Sequence, residues 1–528
     1  MNNFTAKNKK IQKDGRAIVL MAFFAVIFMA ISILPFVYLS FFDYANGDDF
    51  NYGWMTHQAW LSTGSILAVL QSACAVVRNT WYSWQGTWSS VFLFSLQPGI
   101  WNEKAYGLTV WIALFCIMGG SYYFLYIIFR KIIQMSMPLF LILWSLLEIL
   151  TLQFIPNIKT AVFWYTSVAH YIIPLGAALL VLGWTIQWLY TGKKRYYFGI
   201  LIFMSYLGGA GYPLVVLAGV GVFFIMVCFA FRSREDRNRV KRAFFLLIPI
   251  IIEGIGFIVS AISPGNKVRG GEDFGFSLTR AFDVVCEGFA NTLRDILDSS
   301  ARPELFIPII IIAIFTGFTY HPREEKVNKI LSPWIVIIFC FITIAAIRMP
   351  ALYAAVDVSS GVPDTEFILT VLAVYLSLIY TICWIKQIIY LKKELNINNK
   401  TVNINRNATI WICLSTVILL LGTAFLTRHS LKNTSDYLCI DFISSGSLAD
   451  FETQMQERLA ILNDNTNLNP VVPEMNNEQG PFMHMALLDD PNAFTNRVTS
   501  EYYGKNSVIA VPREEYMQMY RNGRKISN

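Results

Sequence analysis

Long apolar stretches separated by short polar segments run through the chain of 528 residues. Each stretch approaches the roughly 20 mostly apolar residues that cross a bilayer as a helix. The segment 196–207 is the shortest, and the glycines after it leave a half-helix or a re-entrant turn as alternatives. The pattern predicts about eleven transmembrane helices, at 17–42, 106–129, 135–152, 171–190, 196–207, 212–231, 243–262, 304–320, 333–349, 366–390 and 409–427.

Composition favours an all-α polytopic membrane protein over a soluble enzyme. Charged residues make up 15% of the chain and hydrophobic residues 55%, whereas soluble chains usually carry about 25% charged residues. Aromatic residues alone account for 15% of the chain, which excludes a disordered chain. The first apolar run is longer than the roughly 7–15 residues of a signal-peptide core. We therefore expect a retained membrane anchor.

The distribution of charge predicts the orientation of the chain. Its net charge is +7, and basic residues concentrate in alternate loops. With a cytoplasmic N-terminus, the inner segments hold 24 basic and 6 acidic residues. Cytoplasmic loops are enriched in Lys and Arg, so we expect the C-terminal tail outside a bacterial plasma membrane. The positive charge then orients the chain in the bilayer and does not indicate a nucleic-acid partner.

Two domains are predicted, a transmembrane domain over 1–427 and an extracytoplasmic tail over 428–528. The transmembrane domain has long outer loops at 43–105 and 263–303, whose Trp-rich and amphipathic stretches are typical of interfacial helices. The tail has about the length of a small domain. A strand expected within 507–511 makes it a small α+β domain.

The eight cysteines are scattered, and most lie within predicted spans. No CxxC spacing indicates a metal site. Cys439 is the only cysteine of the tail, so no disulfide can form within it.

Paired acids directly after the first span are the strongest candidate for chemistry. Asp48 and Asp49 are flanked by Gly47 and Gly53. Adjacent carboxylates repel, which raises a pKa or calls for a nearby cation. One of them could act as a general base on an attacking hydroxyl. A solvated turn is the alternative.

The segment 263–271 is a candidate phosphate site. It contains a Pro-Gly-Asn turn that ends at Asn266, and Lys267 and Arg269 follow. Such a turn can expose backbone N–H groups to an anion, and Arg can grip a phosphate. The alternative is an ordinary turn whose basic side chains reach lipid phosphates. Other predicted contacts to substrate or phosphate, each also a possible interfacial anchor, are Arg78, Lys159, Arg348 and Trp84.

Two acids lie within predicted spans, and two histidines face outward. Glu253 and Glu148 are functional candidates by position, but the glycines beside Glu253 favour a structural role at a close helix contact. His57 and His170 could assist a proton transfer. Each histidine is more often a packing residue.

These motifs resemble the GT-C class of polytopic glycosyltransferases, and more closely a poorly characterised group of bacterial multispan proteins with GT-C-like architecture. The likeness covers most of the chain through short motifs. Where that group carries Gly-Arg, this chain has Gly86-Thr87, for which Arg78 could compensate. The matching segments are Asp48-Asp49, Trp84-Gln85-Gly86, Pro264-Gly265-Asn266 with Arg269, and Tyr502-Tyr503-Gly504-Lys505.

The resemblance implies transfer of a sugar from a polyprenyl-phosphate donor to a cell-envelope glycan on the outer face. Asp48 or Asp49 is then the base, and the basic outer residues stabilise the leaving lipid phosphate. No cofactor is certain, although a divalent cation at the acidic pair stays possible. Two alternatives from other classes are a transporter or flippase for lipid-linked glycans and a non-catalytic scaffold for envelope assembly.

Overall fold

The computed structural model describes residues 15–271, 275, 277–322, 331–354, 361–395, 406–476 and 479–521. The basic segments 1–14, 323–330 and 396–405, which helped to orient the chain, lie outside the described residues. Helices dominate the described part, and its strands form one two-stranded sheet.

The first half of the chain alternates long membrane helices with short elements. Turns of π-helix cover Tyr126–Ile132, Lys159–Phe163 and Val168–Ile172, and 3-10 turns cover Ser40–Phe42, Pro98–Ile100 and Glu103–Gly107. The α-helices are α1 (Arg16–Ser32), α2 (Leu34–Leu39), α3 (Asp48–Thr63), α4 (Ile66–Ser83), α5 (Trp88–Phe94), α6 (Leu108–Leu125), α7 (Met137–Gln153), α8 (Tyr165–Ser167), α9 (Ile173–Thr191), α10 (Lys194–Leu207), α11 (Tyr212–Arg232), α12 (Arg237–Phe244) and α13 (Leu247–Ala261).

The second half adds further long helices and then the tail. Its transmembrane part contains α14 (Pro264–Gly270), α15 (Leu278–Ser300), α16 (Pro303–Thr319), α17 (Pro333–Ala354), α18 (Gly361–Leu395) and α19 (Arg406–Leu426). The tail contains a 3-10 turn (Ser430–Asn433), α20 (Ser435–Ser444), α21 (Ser447–Leu462), β1 (Val471–Pro473), α22 (Phe494–Tyr503), β2 (Ile509–Val511) and α23 (Arg513–Arg521). The strands pair in parallel, which confirms the strand predicted within 507–511.

Eight helical segments of the described residues are long and apolar enough to cross a membrane. A ninth is possible if α15 and α16, bent by 82° against each other, count as one span. The chain is thus a helical, multi-span membrane protein. The eight segments are Arg16–Phe42, Glu103–Ile132, Tyr165–Thr191, Tyr212–Arg232, Arg237–Ala261, Pro333–Tyr353, Gly361–Leu391 and Asn407–Leu426.

Three of the eleven predicted spans form shorter helices. The segments 135–152, 196–207 and 304–320 become α7, α10 and α16, of 17, 14 and 17 residues. The predicted amphipathic helix 279–298 is present as α15. Its sharp bend against α16 fits a helix that lies along the membrane surface before the chain enters the bilayer. A total of eleven spans stays a prediction.

Close helix contacts in the bundle depend on glycine, as expected around Glu253. A Cβ at Gly208 would lie 2.6 Å from the backbone oxygen of Glu253, and one at Gly256 would lie 3.1 Å from Gly208. Small residues allow helix backbones to approach this closely in a membrane. Glu253 is buried at this contact, and one of its carboxylate oxygens has no hydrogen-bond partner among the described residues.

The tail packs onto one side of the bundle, here called the tail face. Tyr502, at the end of α22, is buried against α3. Its hydroxyl donates to the backbone oxygen of Gly99 at 3.0 Å, and Gln58 donates to its backbone oxygen at 2.8 Å. Its ring stacks on His57 with centroids 4.2 Å apart. Tyr502 therefore joins the tail to the first outer loop, and His57 has a packing role.

Candidate functional site

The acidic half of the site is built where the first span gives way to α3. Gly47 precedes α3 with φ +49°, a conformation that favours glycine. A Cβ there would lie 2.1 Å from the sulfur of Met485 in the tail. Asp48 and Asp49 occupy the first turn of α3, where the helix dipole favours negative charge.

Asp49 is fully buried and bonded on both carboxylate oxygens. The Tyr106 hydroxyl donates to one oxygen at 2.7 Å. Thr166 donates to the other from its hydroxyl at 2.7 Å and from its backbone N–H at 3.1 Å. Burial raises the pKa of Asp49 to about 6, although these hydrogen bonds act in the opposite direction. Asp49 thus ties α3 to two transmembrane segments.

Asp48 has a different environment one residue away. Its side chain is half-buried, and its carboxylate accepts no hydrogen bond from any described residue. Burial raises the pKa of Asp48, and the positive charge of Arg269 opposes that rise. Tyr52, one turn along α3, is buried, and the charges of Asp48 and Arg269 both act on it. Asp48 and Arg269, predicted from separate loops, therefore face a common region.

The basic half of the site is a short helix instead of the predicted open turn. Residues 263–271 were expected to form a turn that exposes backbone N–H groups to an anion, and binding of an anion there stays a prediction. They form α14, in which a Cβ at Gly265 would lie 2.5 Å from the backbone nitrogen of Trp84. The start of α14 is therefore packed against the end of α4. Lys267 and Arg269 lie in the last turn of this helix.

Asn266 joins the two outer motifs. Its side-chain oxygen accepts from the backbone N–H of Gly86 at 3.0 Å, and its amide donates to the Ser260 oxygen at 2.7 Å. A Cβ at Gly86 would lie 1.8 Å from that Ser260 oxygen, so a side chain there would separate the segments. Asn266 therefore holds the two outer motifs together.

Arg269 is held by the neighbouring motif while its side chain stays exposed. One guanidinium nitrogen donates to the side-chain oxygen of Gln85 at 2.6 Å. The guanidinium lies 5.7 Å from the centre of the Trp84 ring, within the range of a cation–π contact. Trp84 is itself 47% exposed. This arrangement orients a cation on the tail face and leaves other N–H donors of Arg269 available.

The remaining predicted basic residues differ in exposure and in pairing. Lys267 and Arg78 are exposed and form no ion pair with another described residue. Arg348 is buried and paired with Asp295 and with Glu366, the latter at 3.2 Å.

Lys159 is half-buried and its charge acts on His484 of the tail. Burial, together with the charges of Arg458 and Lys159, lowers the pKa of His484 to about 3. Lys159 is thus directed towards the tail, while Asp48, Arg269, Trp84 and Asn266 meet in the site.

Sequence reasoning missed three residues of this region. Gln85 was noted only as part of a motif, and its contact to Arg269 depends on the fold. Tyr52 carried no signal beyond its place one turn after Asp48. Asp43 is buried, and one of its carboxylate oxygens has no partner in the described part of the chain. Burial and the charge of Asp49 raise the pKa of Asp43 well above its ordinary value.

His170 lies under the site with a buried ring nitrogen that has no hydrogen-bond partner among the described residues. The buried acid Glu148 accepts a hydrogen bond from Ser121, which also accepts one from Trp144 at 3.2 Å. Across the described ranges, no three His, Cys, Asp or Glu side chains are arranged to hold a metal ion.

Comparison of the whole chain with models of known protein families and with curated proteins found no match.

Proposed function

We propose that the protein is a membrane glycosyltransferase of the GT-C type. It transfers a sugar from a polyprenyl-phosphate donor to a cell-envelope glycan on the tail face. The observation that carries the proposal is the difference between the paired acids. Asp49 is bonded on both oxygens, whereas Asp48 is unbonded within the described chain and faces Arg269. A carboxylate beside an oriented cation suits a reaction that needs a base and an anionic leaving group.

Asp48 is the base of the proposed reaction. It accepts the proton of the acceptor hydroxyl while the hydroxyl oxygen bonds to the anomeric carbon of the sugar. The bond from that carbon to the phosphate oxygen breaks, and the phosphate leaves with the electron pair. A single displacement of this kind inverts the anomeric centre. The raised pKa of Asp48 makes it a better proton acceptor than a fully solvated carboxylate.

Arg269 stabilises the negative charge that develops on the leaving phosphate. The contacts to Gln85 and Trp84 fix its guanidinium before the substrate arrives, and preorganised charge of this kind lowers the barrier. Lys267 is exposed two residues earlier on α14 and adds positive charge on the same helix. Arg78 is exposed on α4, whose end packs against α14, and adds further positive charge.

The membrane arrangement is consistent with a lipid-borne donor. With eleven crossings and a cytoplasmic N-terminus, the tail face lies outside the plasma membrane, in accordance with the distribution of basic residues. A donor anchored in the bilayer and an acceptor bound at the same face meet at high effective concentration.

The proposal is tested with full-length protein in liposomes, supplied with a panel of polyprenyl-phosphate hexoses and cell-wall glycan fragments. Release of polyprenyl phosphate is measured. Asp48→Asn should lower the rate about a hundredfold to ten-thousandfold, the usual contribution of a general base. Its thermal unfolding should not change, because the carboxylate accepts no hydrogen bond from the described chain. Asp441→Asn, at an exposed aspartate of α20, is the matched control.

Full activity of Asp48→Asn would show that Asp48 is not the base. Translocation of the lipid-linked sugar without transfer would favour a transporter, especially if Glu253→Gln blocked it. The buried, partly unbonded carboxylate of Glu253 is the observation behind that second candidate.

A further inference from the structure

A large apolar crevice lies between transmembrane helices, away from the polar residues described above. Its volume is about 1050 Å³. Helices α1, α7, α16 and α19 form its walls, and α20 of the tail closes its end on the tail face. It is called the α1–α19 crevice below.

Helices α1 and α19 line this crevice with regular apolar faces and do not fill it. On α1 these residues include Phe24 and Phe28, which are 58% and 62% exposed. On α19, Leu414, Val417 and Leu421 recur at the three- and four-residue spacing that defines one helix face. The helices are backed instead by their other neighbours, because α1 packs along α7 and α19 packs along α16.

The size and length of the crevice fit a hydrocarbon occupant. It extends along α1 from Arg16 to Ser32, or about 24 Å at roughly 1.5 Å per residue. That is most of the roughly 30 Å hydrocarbon core of a bilayer. A cavity of about 150 Å³ already holds a benzene molecule.

Polar groups are confined to the ends of the crevice. At the tail face they include Gln153, Thr434 and Asp436, where Thr434 donates to Asp436 at 2.6 Å. A guanidinium group adjoins this end. Arg302 lies 5.7 Å from the ring of Phe154, which lines the crevice. Its Nε is paired with the lining residue Glu304 at 3.1 Å, and its terminal nitrogens carry further donors. Guanidinium groups bind phosphate well.

We propose that the α1–α19 crevice is a binding site for a glycerophospholipid of the bilayer. Its acyl chains lie between α1 and α19, and its phosphate contacts Arg302 at the tail face. A phospholipid is the occupant because the bilayer presents it at far higher concentration than any other lipid phosphate, and occupancy follows mass action. The site is separate from Asp48 and Arg269 and does not depend on the proposed glycosyl transfer.

The test uses full-length protein purified in mild detergent and washed until loosely attached lipid is removed. Retained lipid is identified and counted by native mass spectrometry. We expect about one phospholipid per chain. Val417→Trp fills the crevice and should lower occupancy roughly tenfold, as expected for loss of one buried apolar contact surface. Ile418→Trp is the matched control, because Ile418 is the next residue of α19 and does not line the crevice.

A second pair of variants tests the headgroup. Arg302→Gln should also lower phospholipid occupancy, whereas Arg294→Gln, on the exposed side of α15, should not. Thermal unfolding is followed for every variant, and Leu414→Trp replaces Val417→Trp if that protein fails to fold. The proposal is overturned by a wild-type protein without retained phospholipid, by an isoprenoid in its place, or by equal loss from Ile418→Trp.

Discussion

The two halves of the candidate site are constructed differently. The acidic half is buried and cross-linked, since Asp49 bonds to Tyr106 and Thr166 and α3 is covered by Tyr502. The basic half is exposed and depends on a few contacts to Arg269 and Asn266. A base needs one fixed position relative to the acceptor. A cation that stabilises a leaving phosphate can be fixed by fewer contacts, as Gln85 and Trp84 fix the exposed Arg269.

The largest effect on stability is expected at Asp49. Asp49→Ala leaves the buried hydroxyls of Tyr106 and Thr166 without their acceptor, which should lower the free energy of unfolding by about 3–5 kcal/mol. Asp48→Ala, one residue away, should change it by no more than about 0.5 kcal/mol. Thermal unfolding in detergent measures both. Equal losses from the two variants would show that the acids share one environment and would remove the proposed division of roles.

A change of pH should have a smaller effect on stability, through the ionisation of Asp49. The pKa of Asp49 is about 6 in the folded protein, above its ordinary value of 3.8. Between these values the folded state binds more protons than the unfolded state, so stability should fall as pH rises from about 4 to 6. The contribution is about 3 kcal/mol. It should be absent from Asp49→Asn, and an identical pH profile in that variant would contradict the assignment.

The smallest effect on stability is expected at Gly86, where the two outer motifs of the basic half pack together. Gly86→Ala places a methyl group against the Ser260 backbone oxygen and should destabilise the protein by about 1–3 kcal/mol. It should also weaken the contact between Arg269 and Gln85 and reduce transfer while Asp48 is intact. Gly254→Ala is the control, because a Cβ there meets no atom within 4 Å. Unchanged transfer in Gly86→Ala would show that the basic half does not need this packing.

Much of the membrane architecture was predictable, because uninterrupted apolar runs of bilayer length are typical of membrane-spanning helices. Span 196–207 shows the limit of that reasoning. Its 14-residue helix α10 packs against α9 and, through Gly208, against Glu253. The hydropathy pattern does not predict tertiary contacts of this kind. The bend between α15 and α16 was predictable only as a change from an amphipathic to an apolar pattern.

The sequence indicated which residues to consider for the candidate site, but it did not predict how they are arranged. Sequence reasoning selected Asp48 and Arg269, but it could not separate Asp48 from Asp49, because the difference arises from Tyr106 and Thr166 far along the chain. It also treated the Pro-Gly-Asn segment as an open turn. Whether those residues form a turn or the start of α14 depends on Trp84 packing against Gly265.

The contact between Gln58 and Tyr502 has a consequence for biogenesis. These residues are 444 positions apart, yet they are hydrogen-bonded beside the helix that carries both acids. Chains fold progressively from the N-terminus as they are synthesised. Helix α3 therefore lacks its contact with Tyr502 until the tail has been synthesised and has reached the same side of the membrane. A chain truncated before Tyr502 retains every transmembrane helix described above and never completes this part of its surface.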